Sequence, residues 1–79
     1  MRIFDKDHKL VKIICNQCGC AEETAGGLLK KDFLSVEKDW GYFSDKDTKT
    51  HRFDLCEACY DRLIAGFSYP VDEEERNEL

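Results

Sequence analysis

Apolar residues along this chain fall into short runs separated by polar turns. Ile3-Phe4 and Leu10-Val11-Lys12-Ile13-Ile14 flank the polar stretch Asp5-Lys6-Asp7-His8-Lys9, which predicts a β-hairpin with strands at residues 2–4 and 10–14. A second, longer hairpin is predicted beyond it. Residues 33–40 alternate with Leu34, Val36 and Trp40 on one parity, interrupted by Lys38, and residues 50–55 return across the polar stretch 44–49. Between the hairpins the pattern is weak: Glu22-Glu23-Thr24-Ala25 suits a helix start, but Gly26-Gly27 would break it, so a loop or single turn is expected. After residue 54 the period changes. Cys59, Leu63 and Phe67 recur at i, i+4 and i+8, Asp54 stands as N-cap with Glu57 three residues on, and Gly66 and Pro70 close a helix over residues 54–67. The predicted class is α+β, antiparallel β-hairpins plus one C-terminal helix.

At 79 residues the chain suffices for one domain, expected over residues 1–71, and cannot bury a large core. Chains of this size usually lean on a metal, disulfides or a partner subunit. The net charge of −5 is concentrated at the end, where residues 72–79 hold five carboxylates against Arg76 and predict an acidic, flexible tail. An acidic balance disfavours nucleic acid, whose phosphates call for clustered Lys and Arg. No apolar run approaches the roughly 18 residues of a membrane span, and the charged start Met1-Arg2-Ile3-Phe4-Asp5 is unlike a secretory leader. A reduced, cytoplasmic protein without a membrane partner is the expectation.

Five cysteines change the picture. Cys15-Asn16-Gln17-Cys18 and Cys56-Glu57-Ala58-Cys59 are two CxxC pairs, and two such pairs form the usual ligand set of a closed tetrahedral zinc site. The metal ligands are therefore Cys15, Cys18, Cys56 and Cys59, with Zn²⁺ as a structural cofactor, or iron, which an all-thiolate site also accepts. Gly19 after the first pair suits the left-handed turn that follows a zinc knuckle. The second pair lies at a helix start, where free N–H groups favour thiolates. Cys20 is the odd cysteine: it packs beside the knuckle, replaces Cys18 as a ligand, or acts as a redox-sensitive thiol.

Other candidate chemistry is thinner. His8 reads as a turn residue and His51 as a strand residue, since four cysteines already complete a shell. The oxygen donors of Ser44-Asp45-Lys46-Asp47 do not make an EF-hand loop, because Thr50 and Cys56 occupy the places of its glycine and its closing glutamate. Trp40-Gly41-Tyr42-Phe43 is the most aromatic stretch, and in so small a chain it is expected to supply the core, with one ring left exposed.

A knuckle pair, a β-hairpin and a second pair in the first turn of a helix resemble the treble-clef zinc finger. The resemblance rests on Cys15-Asn16-Gln17-Cys18-Gly19, the hairpin from Trp40 to Leu55, and Cys56-Glu57-Ala58-Cys59-Tyr60-Asp61-Arg62-Leu63. The 37 residues between the pairs exceed the common short-finger spacing, a departure that a treble clef with extra strands can absorb. Through Phe33-Leu34-Ser35-Val36-Glu37-Lys38, Trp40-Gly41-Tyr42 and Asp54-Leu55-Cys56-Glu57 the chain also resembles small bacterial zinc-binding proteins, a likeness that implies no known activity. Treble clefs serve many functions, so the resemblance implies a fold and a zinc site but no single role. Its nuclease version needs a His or Asn on the helix, which residues 56–67 lack. The expected function is a structural-zinc interaction module, not an enzyme, that binds a protein partner or forms a homodimer. A nucleic-acid-binding finger using Lys9, Lys12, Lys30, Lys31 and Arg52 is the second reading, and a thiol-redox sensor the third.

Overall fold

The computed structural model describes residues 1–76. Among the described residues five strands precede one helix: β1 (Arg2–Phe4), β2 (Leu10–Ile14), β3 (Ala21–Glu23), β4 (Phe33–Asp39), β5 (Thr50–Cys56) and α1 (Glu57–Ala65). They form a three-stranded antiparallel sheet in the order β1-β2-β3 and a two-stranded antiparallel sheet of β4 and β5. The predicted α+β class with antiparallel hairpins and a C-terminal helix is borne out.

The first hairpin closes through Asp5, whose carboxylate accepts from the backbone N–H groups of Asp7 and Lys9 while its own N–H donates to the Lys9 carbonyl. His8 sits in this turn at φ 63°. Such Asx-type turns explain why a polar stretch with Asp in the lead reverses the chain.

Strand β3 corrects the expectation of a loop or single turn between Ala21 and Leu28. Its backbone pairs with β2, Ile13 opposite Glu22, and Gly26-Gly27 then reverses the chain at φ 61° and 85°. Positive φ at two successive residues is the requirement of a tight hairpin turn, and the bridge between Ala25 and Leu28 closes it. The glycines thus act as a hairpin turn, where the sequence reading took them only as helix breakers.

The second hairpin keeps the register Phe33 to Cys56, Val36 to Phe53 and Lys38 to His51. At its tip the Trp40 backbone N–H donates to the Lys49 carbonyl, and further turns run through Ser44, Asp47 and Lys49. Lys46 lies 4.5 Å from the Trp40 ring centre, Lys38 lies 5.6 Å from it, and His51 meets it edge-on at 6.1 Å. Trp40 is half-buried in this cluster. Tyr42 and Phe43 are not core: they are 83% and 99% exposed and touch each other edge-to-face at 5.3 Å.

What is buried instead is Ile13, Cys15, Asp54, Leu55 and Cys59, with Phe33, Leu34, Phe53 and Cys56 packed on the Cys15, Leu55 and Cys59 cluster. The helix also differs from expectation. It starts after Cys56, which is the N-cap residue, and Asp54 is a strand residue. Its inward side is Cys59 with the half-buried Tyr60 and Ile64, whereas Leu63 and Phe67 are exposed. β5 runs straight into the helix, so hydrogen bonding to β4 holds residues 54–56 extended and overrides the local capping signature. Residues 71–76 carry neither helix nor strand, and the end of the acidic tail, with Glu78, lies outside the described residues.

Candidate metal centre

The two CxxC pairs reach one point by different routes. β2 ends at Ile14 and passes directly into Cys15, so the first pair sits on the turn between β2 and β3. The knuckle is closed by hydrogen bonds. Gly19 N–H donates to the Cys15 carbonyl at 2.9 Å, Cys15 N–H to the Cys20 carbonyl at 2.8 Å, and Cys18 N–H points at the Cys15 sulfur at 3.5 Å. Gly19 itself is at φ 81°, as the spacing predicts. The second pair straddles the junction of β5 and α1, with Cys56 ending the strand and Cys59 in the first helical turn.

Asn16 and Asp54 join these two elements, and neither role was assigned from sequence. Asn16 N–H donates to the Asp54 carbonyl at 2.8 Å, and Asp54 N–H donates to the Asn16 side-chain oxygen at 3.0 Å. The buried Asp54 carboxylate also accepts from the Met1 ammonium at 2.7 Å and from Ser35, with Arg2 3.4 Å away. Burial works against its charge, but the ammonium, Ser35 and Arg2 outweigh that and hold its pKa below the ordinary carboxylate value. The first sheet is thereby docked onto β5 beside the cysteines. Asx residues are common in turns and caps, so the sequence carried no signal that these two face each other.

The result is a cluster of four sulfurs. Those of Cys15, Cys18, Cys56 and Cys59 all lie within 4.8 Å of one another, and Cys18 and Cys56 are 3.7 Å apart. A tetrahedral ion bound by four thiolates at about 2.3 Å has sulfur-to-sulfur edges of ~3.8 Å, so the donor set fits such an ion. Cys15 and Cys59 are buried, Cys56 is half-buried and Cys18 is exposed. His51, on β5 beside Trp40, lies outside this cluster.

The thiols of Cys15, Cys56 and Cys59 are driven in opposite directions by their surroundings. Burial opposes the Cys15 thiolate, yet the N–H groups of Cys18, Cys56 and Gln17 bring its pKa down to about 5. The Cys59 N–H beside the Cys56 sulfur lowers Cys56 as well. Cys59 is driven the other way, to about 12, by burial and by the neighbouring thiols of Cys56, Cys15 and Cys18, although the Arg62 guanidinium donates to its sulfur at 3.2 Å. Thiols packed this closely cannot all ionise unaided, because like charges oppose one another. A coordinated cation would resolve that conflict and deprotonate all four.

Cys20 is outside the four-sulfur set but beside it. The neighbouring thiols of Cys18 and Cys56, with burial, push its pKa up to about 12. No family model matches this chain, and no curated protein or solved structure matches it either.

Proposed function

We propose that this chain is a small zinc-stabilised interaction module, treble-clef-like in the order knuckle, β4–β5 hairpin and helix, whose metal is structural. The observation that carries the reading is the convergence of four cysteine sulfurs from two distant parts of the chain, with two of the four buried. Four thiolates complete a tetrahedron and leave no position for water or substrate, so the ion supports the fold and does no catalysis. Zinc fits this all-sulfur shell without redox chemistry, and a colourless protein would distinguish it from iron.

Function then belongs to the surface, through a protein partner or a second copy of the chain. Tyr42 and Phe43 support this. They stand almost fully exposed at the tip of a hydrogen-bonded hairpin, and aromatic side chains held on an ordered support are the usual anchors of interfaces. Nucleic acid is less favoured, because Lys31 and Arg52 of its required basic set already face Glu22 and Glu37.

A crosslinking comparison of the wild type with Phe43→Ser, in host extract and with purified protein at rising concentration, tests the reading. A specific partner or dimer lost in the variant, with the metal still bound, supports it. Identical crosslinks in both, or none in either, removes the interaction role.

A further inference from the structure

The sheet of β4 and β5 has one long open edge. The Trp40 N–H bonds to the Lys49 carbonyl, and the register carries that pairing on to Lys38 with His51, Val36 with Phe53 and Leu34 with Leu55. The N–H and C=O groups of Ser35, Glu37 and Asp39 therefore point away from β5. On β5 the same alternation turns Asp54 outward, and there Asn16 bonds both its N–H and its carbonyl, so the first sheet closes that side. Along β4 no backbone group among the described residues pairs with Ser35, Glu37 or Asp39 on the outer side.

Exposed edges are ordinarily guarded by brevity, by bulges or by free charges. β1 and β3 have three residues each, and β1 has a register shift between Ile3 and Phe4. β4 has seven residues, paired without a shift. Its charges are tied back across the hairpin. Glu37 accepts from Arg52 and Asp39 from Thr50, each at 2.6 Å, and Lys38 lies 5.6 Å from the Trp40 ring centre.

We infer that the β4 edge seats a second copy of this chain, joined antiparallel about a two-fold axis into one four-stranded sheet in the order β5-β4-β4-β5. This rests on the interaction reading above and commits it to self-association. Such an edge is complementary to itself under two-fold symmetry, so a second copy brings the matching row of donors and acceptors. A two-stranded sheet alone is marginal in water, and four strands relieve that. The area suffices: the chain exposes 7086 Å² where a compact monomer of 9.2 kDa exposes about 4,900 Å², and a standard interface takes about 800 Å² from each partner. In the register that sets apolar against apolar, Val36 stands opposite Val36 of the second copy, and Ser35 bonds to Glu37 on either side of the axis. Leu34 and Val36, half-buried in one chain, gain cover from the other. Asp39 then faces Phe33 of the second copy, so each hairpin tip overhangs the start of the other β4, and the exposed Tyr42 and Phe43 lie against the second copy.

The test uses the reduced, zinc-loaded chain. Sedimentation equilibrium is expected to give twice the 9.2 kDa mass at high concentration. Amide exchange read by NMR along a dilution series reports on the edge itself: Ser35 and Glu37 gain protection as the dimer forms, whereas Leu34, Val36 and Lys38 are protected already in the monomer. Glu37→Pro removes one outward donor per chain, two bonds per dimer, and leaves the bonds to β5 intact. It is expected to weaken association about a hundredfold with metal still bound, while Glu37→Ala, which keeps the N–H, stays dimeric. Phe43→Ser is expected to weaken association about tenfold.

A chain that remains monomeric up to millimolar concentration would overturn the self-pairing, even if a different protein partner sustained the interaction reading. A dimer lost in Phe43→Ser and kept in Glu37→Pro would overturn the β4 edge and leave that reading in place. Should Glu37→Pro fail to fold, the exchange series on the wild type decides: Ser35 and Glu37 amides that exchange equally fast in monomer and dimer overturn the pairing.

Discussion

Asp54 shows how a single side chain organises a chain too small for a conventional core. Its carboxylate collects the Met1 ammonium, Ser35 and Arg2, and its backbone is bonded on both sides to Asn16. Asp54→Asn keeps the shape and loses the charge, which is expected to cost about 2 kcal/mol in urea unfolding of the metal-loaded protein, the size of a charge-assisted hydrogen bond. Asn16→Ala is expected to cost about 1 kcal/mol by the same measurement while leaving metal stoichiometry intact. A loss of metal in Asn16→Ala would mean that the knuckle depends on this link for its shape. The cysteine pairs were legible in the sequence because two ligands at CxxC spacing carry their chemistry in local order. Asp54 was misread for the complementary reason: Asp followed by Glu at the third place looks the same whether the backbone enters a helix or remains in a strand. Cross-strand pairing with Ser35 decided between them, and that is not local information.

Elements with strong local signals were read well, and those defined by their neighbours were not. Both hairpins and the helix followed from alternation, turn residues and the change of period. β3 is three residues long, Ala21-Glu22-Glu23, and has no alternation to reveal it, since it is a strand only because β2 offers it an edge. The overlooked sign was the glycine pair. Gly27 is at φ 85° with open space where a side chain would go, so Gly27→Val is expected to destabilise through backbone strain alone, by about 1–2 kcal/mol. Thermal unfolding would show this, and metal content should not change. The aromatic tip was misplaced for a different reason: composition demanded core residues, and the cysteines supplied them instead. Tyr42→Ser and Phe43→Ser are expected to alter stability by no more than about 0.5 kcal/mol each, as surface substitutions do. Larger losses in denaturant unfolding would place these rings in a structural role.

At the scale of the whole molecule, the surface is too large for the mass. A compact monomer of 9.2 kDa is expected to expose about 4,900 Å², whereas this chain exposes 7086 Å². Its radius of gyration is 15.4 Å, against about 12 Å for a compact domain of this length. Fully buried side chains among the described residues are Ile13, Cys15 and Cys59, two of them candidate ligands. The cysteine cluster therefore stands where larger domains have an apolar core. Structural zinc contributes an apparent ~10–16 kcal/mol in small fingers, comparable to the entire stability of an ordinary domain, about 5–15 kcal/mol. Without the ion the remaining contacts are not expected to hold the two sheets together.

The most direct test is a metal titration of the reduced apo-protein, followed by amide proton NMR, with X-ray absorption at the endpoint. A collapsed apo spectrum is expected to become fully dispersed at one zinc ion per chain, with four sulfur neighbours, and to collapse again on chelation. A dispersed spectrum in the absence of metal, or an endpoint with fewer than four sulfurs, would contradict it.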